Sequence, residues 1–217
     1  MASDETRARI IEAAGPIFAD KGYRDATVRE ICETAGVGLA SVNYHFRDKQ
    51  HLYAQVVESA FDDLSRLKPP QVEWPVGTPV ETKLRAWILR LAERTVKPKE
   101  DTWQERLLTR EIHSPSAECE EFLRRRIRNE LEPLFAILGE ILPPDTPDHD
   151  RWRITFSVTG QILHYDSHRG LMRLLLGDAT GDPHYRAAQV AEHIARFCLA
   201  AFGMAPPIGK AGQGAQA

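Results

Sequence analysis

Four hydrogen-bonding side chains fall within five residues of the N-terminal quarter of the chain: Ser41, Asn43, Tyr44 and His45. A serine hydroxyl and an asparagine amide can hydrogen-bond the base edges exposed in the major groove of DNA. A tyrosine hydroxyl, or a lysine ammonium such as that of Lys49, suits the phosphate backbone. If one element presents these groups together, they predict a surface that binds double-stranded DNA.

The flanking residues predict two short helices joined by a tight turn. Thr27 and Glu30 have the spacing of a capping box, in which each side chain satisfies a free amide of the first helical turn. Gly36 falls where a left-handed residue commonly ends a helix. In the second helix, Val42 and Phe46 are four residues apart and share one buried face. The polar residues between them are therefore expected to face solvent.

Two helices in this arrangement are typical of a helix-turn-helix, and the segment AGVGLASVNYHFRDKQHL resembles the signature of TetR-family transcriptional regulators. The resemblance covers residues 6 to about 64. It implies a DNA-binding domain whose second motif helix enters the major groove. Gly38, Ala40 and Asn43 depart from the small hydroxyl residue, glycine and tyrosine usual in the signature. The candidate DNA-binding residues are Thr27, Arg29, Gly38, Leu39, Ala40, Ser41, Asn43, Tyr44, His45 and Lys49.

The charge balance gives no separate support for nucleic-acid binding. Lys and Arg number 28 and Asp and Glu 31, so the formal net charge is −3. The first fifty residues hold seven basic and eight acidic side chains. DNA affinity must then come from the local placement of Arg29, Arg47 and Lys49 and from helix N-termini.

The length and the cysteine content are those of a globular protein whose thiols are reduced. A length of 217 residues allows one or two domains. Cys32, Cys119 and Cys198 are scattered and odd in number, which favours neither a disulfide framework nor a metal site, and a cytoplasmic location fits. We expect no cofactor, no signal peptide and no membrane span. Residues 204–217, rich in Gly, Pro, Ala and Gln, predict a disordered tail.

Apolar residues at helical spacing predict about nine helices and no strand, so the fold class is all-α. We expect residues 1–50 to form a three-helix DNA-binding domain and residues 51–203 a helical ligand-sensing and dimerisation domain. Thr78 and Glu81 predict a capping box at the start of one of its helices. The segment LLTREIHSPSAECEEFLRRRIRNELEPLFAIL resembles the C-terminal domain of the CecR-like branch of the family, which implies a ligand-sensing domain without naming the ligand.

Candidate effector-binding residues fall in two groups. The resemblance places the first group on helices that wall the effector cavity in this family: Trp87, Trp103, Arg110 and His113. These residues also fit simpler roles, as core tryptophans and as an ion pair of Arg110 with Glu111. The second group is the most polar patch of the C-terminal half: Gln161, His164, Tyr165 and His168. The two histidines, four residues apart, could line a pocket or lie at a dimer interface or on the surface. They could also bind a metal, but the sequence offers no third ligand for one.

A second copy of the chain is expected because one helix-turn-helix contacts few base pairs and two-fold symmetry supplies a second. The last two predicted helices carry more apolar surface than their own core should need. Two such helices from each subunit would form a four-helix bundle. The interface candidates are Trp152, Phe156, Val190, Ile194 and Phe197.

The motif and the resemblance together imply a transcriptional repressor that binds a palindromic operator as a homodimer and is released by a small-molecule effector of unknown identity. One alternative is a regulator controlled by a partner protein. A second is an enzyme built on a helical bundle, although the chain lacks a nucleophile or carboxylate pair in a catalytic context. A third is a helix-turn-helix used only for packing.

Overall fold

The computed structural model describes residues 2–65, 74–96, 102–177 and 183–207. Within those ranges it contains ten α-helices and no strand, so the all-α prediction is confirmed. The helices are α1 (Ala2–Asp25), α2 (Val28–Ala35), α3 (Leu39–Phe46), α4 (Lys49–Ser65), α5 (Val80–Thr95), α6 (Trp103–His113), α7 (Glu120–Ile141), α8 (Asp148–Ser167), α9 (Arg169–Leu176) and α10 (Ala187–Ala201). A short 3₁₀ helix (Pro183–Tyr185) precedes α10.

The chain divides into two compact units. Unit 1 comprises residues 1–68 and 100–128, and unit 2 comprises residues 69–99 and 129–217. Unit 1 therefore holds α4 and α6 together with the three N-terminal helices. The predicted functional boundary at residue 50 stays a prediction, because compactness does not test which residues bind DNA.

The core of unit 1 forms where α1, α2, α3, α4 and α6 meet. Apolar residues at helical spacing on each of these helices are almost completely buried, among them Ile10, Phe18, Ile31, Val42, Phe46, Leu52 and Leu107. Helix α6 lies against both α1 and α4. A glycine allows the close approach to α1, because a Cβ atom at Gly15 would lie 2.6 Å from ring atoms of Trp103.

Helix α1 changes direction at Gly22, whose φ of 74° and ψ of 179° are not helical. The absence of a side chain has two uses there. It permits the positive φ, and it leaves room for the guanidinium of Arg110, which lies 2.5 Å from where a Cβ would be. Arg106 adds an ion pair from Nη2 to the Asp20 carboxylate at 3.2 Å. These contacts fix α6 against the end of α1.

The core of unit 2 lies chiefly between α5, α8 and α10, with the C-terminal part of α7. Its buried residues include Leu84, Ile88, Leu134, Leu138, Ile162, Val190 and Ile194. Arg169, at the start of α9, donates from Nη2 to the backbone carbonyl of Thr95 at 2.7 Å. That bond satisfies one of the carbonyl groups left free where α5 ends.

Two local predictions differ from the structure. About nine helices were expected, whereas the described ranges hold ten, because α8 ends at Ser167 and α9 starts after His168. The capping box at Thr78 does not form. The Thr78 hydroxyl donates to the carbonyl of Pro75 at 2.8 Å, and Pro79 is the N-cap of α5.

Some predicted features fall partly outside the described ranges. Of the predicted tail, residues 204–207 are described and residues 208–217 lie outside. None of the described helices combines the length and the apolar character that crossing a bilayer would require.

Candidate nucleic-acid interface

The first helix of the motif, α2, is held at both ends by local hydrogen bonds. The Thr27 hydroxyl accepts from the amide of Glu30 at 3.2 Å, which confirms half of the capping box. The Glu30 carboxylate instead pairs with the ammonium of Lys21 at 2.6 Å. At the other end Gly36 is left-handed, with φ 63° and ψ 39°. The amide of Val37 then donates to the carbonyl of Cys32 at 3.0 Å, so the chain turns within two residues.

The second helix of the motif, α3, buries one face and exposes the other. Val42 is 0% exposed and Phe46 1% exposed, as the four-residue spacing predicts. On the opposite side Tyr44 is 79% exposed, and Asn43 is also exposed. Gly38 is the N-cap in an extended conformation and makes no side-chain cap bond. The helix therefore presents a polar surface held in place by two buried anchors.

The other predicted contacts of α3 lie around that surface. Leu39 is 56% exposed at the first position of the helix, and Ala40 is exposed beside it. Ser41 and His45 are half-buried. The rings of Tyr44 and His45 meet edge to face, with centroids 5.0 Å apart. The structure thus brings the predicted residues of α3 onto one short helix.

Two of the three cations predicted for this surface, Arg29 and Lys49, already have partners. Arg29 donates from Nε to the Glu33 carboxylate at 3.0 Å, and both side chains are exposed. The half-buried Lys49 donates from Nζ to the backbone carbonyl of Arg24 at 3.1 Å. Its ammonium also lies 4.8 Å from the ring centroid of Tyr23, a cation–π contact. Lys49 therefore fastens the start of α4 to the end of α1.

An unusual turn connects α3 to α4. Arg47 has φ 66° and ψ −54°, and the amide of Asp48 donates to the carbonyl of Phe46 at 2.8 Å. A three-residue turn with positive φ at a non-glycine residue is rare and strained. Sequence patterns gave no signal for it, because an arginine disfavours this backbone conformation.

Asp48 caps the start of α4. Its Oδ1 accepts from the amide of His51 at 2.9 Å and from Nδ1 of the same residue at 2.8 Å. The backbone bond is the larger cause, and the side-chain bond the second, of a pKa lowered from the ordinary range of an aspartate. The carboxylate is consequently charged at neutral pH and committed to the helix start.

The predicted effector-binding residues belong to different compact units. Trp103, Arg110 and His113 lie on α6 in unit 1. Trp103 and Arg110 pack against α1 at the two glycines described above, and the exposed His113 bonds the carbonyl of Thr109 through Nδ1 at 2.8 Å. The contacts of these three side chains are thus largely structural.

The remaining candidates lie in unit 2. Trp87 is 8% exposed within the core, and the half-buried Tyr165 packs against the same core. Gln161 donates to the sulfur of Cys198 at 3.7 Å. Burial raises the pKa of Tyr165 and of Cys198. Both groups are therefore neutral at physiological pH.

His164 and His168 stack at the end of α8, with ring centroids 4.2 Å apart and planes inclined by 20°. Both side chains are exposed. A metal site needs further ligands, and no group of three or more His, Cys, Asp or Glu side chains in the described ranges could hold an ion. The pair therefore fits a surface or interface patch better than a metal site.

The structure separates the interface candidates into two kinds. Phe156 is 59% exposed and Phe197 48% exposed, and Trp152 is half-buried against Phe156 at 5.9 Å between ring centroids. Val190 and Ile194 are only 3% and 1% exposed, because they fill the core of their own protomer. These two residues have no surface to offer a second subunit, which corrects their assignment.

Two family models match separate parts of the chain. A family model described as "Bacterial regulatory proteins, tetR family" matches residues 10–56. Another, described as "HTH-type transcriptional dual regulator CecR, C-terminal domain", matches residues 80–202. The second match alone covers more than half of the chain.

Individual proteins are similar over shorter stretches. AcrR of Shigella flexneri, an HTH-type transcriptional regulator, is 30% identical over 95 residues, which is 43% of each protein. IcaR of Staphylococcus aureus, a negative transcriptional regulator of a biofilm operon, is 36% identical over 59 residues, 27% of this chain and 32% of that protein. The matched stretch spans less than half the length of these relatives.

Solved structures share the fold. A transcriptional regulator from Rhodococcus sp. Rha1 superimposes with a TM-score of 0.52 at 20% identity, covering 91% of this chain and 94% of that one. A HlyIIR mutant protein gives a TM-score of 0.52 at 20% identity, covering 89% and 96%. The matched family models describe regulators and not enzymes, and the chain belongs to the TetR family of transcriptional regulators.

Proposed function

We propose that this regulator binds a palindromic operator as a homodimer, represses transcription, and is released by a small-molecule effector. The observation that carries the proposal is the two-sided character of α3. Val42 and Phe46 are buried beneath it, while Asn43 and Tyr44 project to solvent. A helix anchored in this way keeps its polar side chains in a fixed orientation, as contact with base edges requires.

The DNA-facing residues divide by chemistry. Asn43 and Ser41 are assigned to base edges, because an amide and a hydroxyl can hydrogen-bond them. Tyr44 is assigned to a phosphate, together with the free amides at the start of α2 beside Thr27. Lys49 is a weaker phosphate candidate than its position in the sequence suggests, since its ammonium already bonds the Arg24 carbonyl.

Residues 1–50 are assigned to DNA binding and residues 51–203 to sensing and dimerisation. An effector would shift the population toward a conformer whose recognition helices no longer match the operator. The expected coupling is about 1–3 kcal/mol, which corresponds to about a 5–150-fold loss of operator affinity. Trp87, Gln161 and Tyr165 are the effector candidates retained in unit 2.

The alternative is control by a partner protein, and isolation of the protein from its own cells separates the two. A stoichiometric small molecule in the isolated protein supports an effector. A stoichiometric second polypeptide that lowers operator affinity supports the alternative.

Because the proposed partner of the N-terminal domain is DNA, we place the protein in the cytoplasm.

The dimer interface is assigned to the exposed apolar side of α8 and α10. Phe156 and Leu163, seven residues apart on α8, are 59% and 43% exposed. Phe197 supplies the corresponding apolar side chain on α10. Two protomers joined here would form the four-helix bundle proposed above. We expect the recognition helices to be about 34–36 Å apart on DNA, one turn of duplex.

The proposal is tested by selecting duplexes from a random library with the full-length chain, followed by footprinting. We expect a palindromic site with half-sites one helical turn apart. Asn43→Ala should cost about 1–3 kcal/mol of operator binding and relax the preference at one base pair. Asn129→Ala, at an exposed asparagine on α7, is the matched control. Failure to enrich any sequence contradicts the proposal.

Repression and activation are separated by transcription in vitro from a promoter that carries the selected site. Repression predicts fewer transcripts as protein is added and recovery when the effector is present. The family model that matches residues 80–202 is named after CecR, which it describes as a dual regulator. That description applies to CecR and leaves the direction of regulation by this chain to the experiment. An increase in transcripts would show that this chain activates at that promoter.

A further inference from the structure

We propose that the guanidinium of Arg47 binds a backbone phosphate of the operator at the end of the recognition helix α3. This inference rests on the proposed function, because it assigns a further residue to the same DNA-binding surface. Arg47 has no place among the base-contacting candidates, and it follows the last turn of the helix that carries them. The assignment depends on the positive φ of Arg47, on the lack of a partner for its guanidinium among the described residues, and on the contacts that neighbouring charged groups already make within the fold.

The backbone of Arg47 is in the region that favours glycine. Its φ is 66°, and among the described residues it is the single non-glycine with a positive φ. The amide of Arg47 donates to the Asn43 carbonyl at 3.0 Å and so ends α3, and the amide of Asp48 closes the turn onto Phe46. A glycine would adopt this turn with less strain. An arginine here carries a conformational cost that its side chain does nothing to offset within the described fold.

The side chain of Arg47 is exposed, and its guanidinium has no hydrogen-bond or ion-pair partner in the described part of the chain. The adjacent carboxylate of Asp48 does not neutralise it. That carboxylate accepts from the amide and the imidazole of His51, at 2.9 and 2.8 Å. The charge of Arg47 is therefore available to an external anion.

Other cations of the same region are engaged within the fold. Lys21 pairs with Glu30 at 2.6 Å, and Arg29 pairs with Glu33 at 3.0 Å. Lys49 donates to the Arg24 carbonyl at 3.1 Å. Binding of a phosphate by any of these three must compete with an existing contact. Binding by Arg47 requires no such exchange.

The chemistry of the group fits a phosphate in particular. A guanidinium stays charged at every relevant pH and presents a planar fork of donors that matches two phosphate oxygens. A contact of this kind fixes the position of the helix on the duplex and carries no sequence information. Arg47 would then set how deeply the C-terminal end of α3 enters the groove, while Asn43 contacts the bases.

The test measures affinity against salt concentration with the full-length chain. Two 30-bp probes are used, the duplex selected by the wild-type protein and a scrambled duplex of the same composition. Arg47→Gly and Arg47→Ala both remove the charge, but only the glycine variant relieves the backbone. Arg47→Lys keeps the charge without the fork. Arg125→Ala removes the same charge from an exposed site on α7 and is the matched control.

We expect the glycine and alanine variants to lose about tenfold in affinity on both probes. The slope of log affinity against log salt should become shallower by about 0.9 for each protomer bound. Arg47→Lys should keep most of the slope, and Arg125→Ala should leave it unchanged. The Tm of Arg47→Gly should be no lower than that of the wild type, which excludes unfolding as the cause of the loss.

Four results overturn the assignment. If the wild-type protein binds its selected duplex and Arg47→Gly leaves the slope of log affinity against log salt unchanged, the phosphate contact is contradicted and the proposed function is not. A loss confined to the selected probe assigns Arg47 to a base. A loss in Arg47→Ala that Arg47→Gly does not share assigns the effect to the turn. A wild-type chain that selects no duplex contradicts the proposed function and this inference together.

Discussion

The phenol oxygen of Tyr53 donates a 2.5 Å hydrogen bond to Oε1 of Glu111, a carboxylate that is 2% exposed. Oε2 of the same carboxylate accepts from the amide and the hydroxyl of Ser116, at 3.1 and 2.9 Å. Tyr53 lies on α4, directly after the helix-turn-helix, and Glu111 lies on α6. A buried charge with donors on both oxygens is tolerated, and one deprived of a donor is costly. This network makes the contact of α4 with α6 specific.

Removing the Tyr53 hydroxyl should destabilise the fold. We expect Tyr53→Phe to lower the free energy of unfolding by about 1–3 kcal/mol, because an oxygen of the buried Glu111 carboxylate loses its donor. Urea denaturation measures the change. Tyr23→Phe is the matched control, since the Tyr23 hydroxyl has no hydrogen-bond partner among the described residues and only its ring packs on Tyr53, at 5.2 Å. Equal losses in both variants would contradict a special role for the Tyr53 bond.

Adding one methyl group at Gly15 should disturb the packing of α6 on α1. The new Cβ would meet the Trp103 ring at 2.6 Å, and overpacking of this kind typically costs about 1–3 kcal/mol. Gly170→Ala is the control, because a Cβ there meets nothing within 4 Å. Thermal unfolding should show a lower Tm for the first variant and an unchanged or higher Tm for the second. Trp103→Leu should restore part of the loss if the ring is the obstacle.

Charges placed on the exposed apolar side of α8 and α10 should separate the subunits. We expect the double variant Phe156→Glu, Phe197→Glu to sediment as a helical monomer at micromolar concentration and to lose operator affinity. Ile112→Glu, at a 54% exposed residue on α6, is the control and should leave the oligomeric state unchanged. Ile194→Glu should instead unfold the protomer, because that side chain is 1% exposed. A wild-type monomer would contradict the proposed dimer.

The thiol of Cys119 should make stability fall in alkali. Burial, aided by the negative charge of Glu111, raises its pKa to about 12 from an ordinary value near 9. A raised pKa means that the folded state favours the neutral thiol. That contribution to the free energy of unfolding is complete below pH 9 and is lost as the pH rises toward 12. Urea denaturation between pH 7 and 11 should show a shallower pH dependence in Cys119→Ala than in the wild type.

The same burial predicts low thiol reactivity. Cys32, Cys119 and Cys198 are all buried, and burial raises the pKa of each. The thiolate is the reactive form. At pH 8 a disulfide reagent should therefore modify the folded protein slowly and all three thiols rapidly in urea. Fast modification of a thiol in the folded state would contradict its burial.

Local interactions explain why the helix-turn-helix could be predicted from sequence. Each feature of the motif involves residues at most four positions apart. These features are the bond between Thr27 and the Glu30 amide, the left-handed turn at Gly36, and the buried pair Val42 and Phe46. Residue type and spacing determine such features almost completely. The sequence therefore determined the all-α class and the motif. It also determined which side of α3 carries the polar groups.

Only the tertiary structure decided the features that depend on distant residues. The Tyr53–Glu111 bond joins residues 58 positions apart, so no periodic pattern contains it. Val190 and Phe197 look equally suited to an interface in the sequence, but packing against α5 buries the first and leaves the second exposed. The positive φ of Arg47 likewise follows from joining two packed helices, against the preference of its own side chain. Apolar periodicity fixes which face of a helix is buried, and the packing of the whole chain decides what buries it.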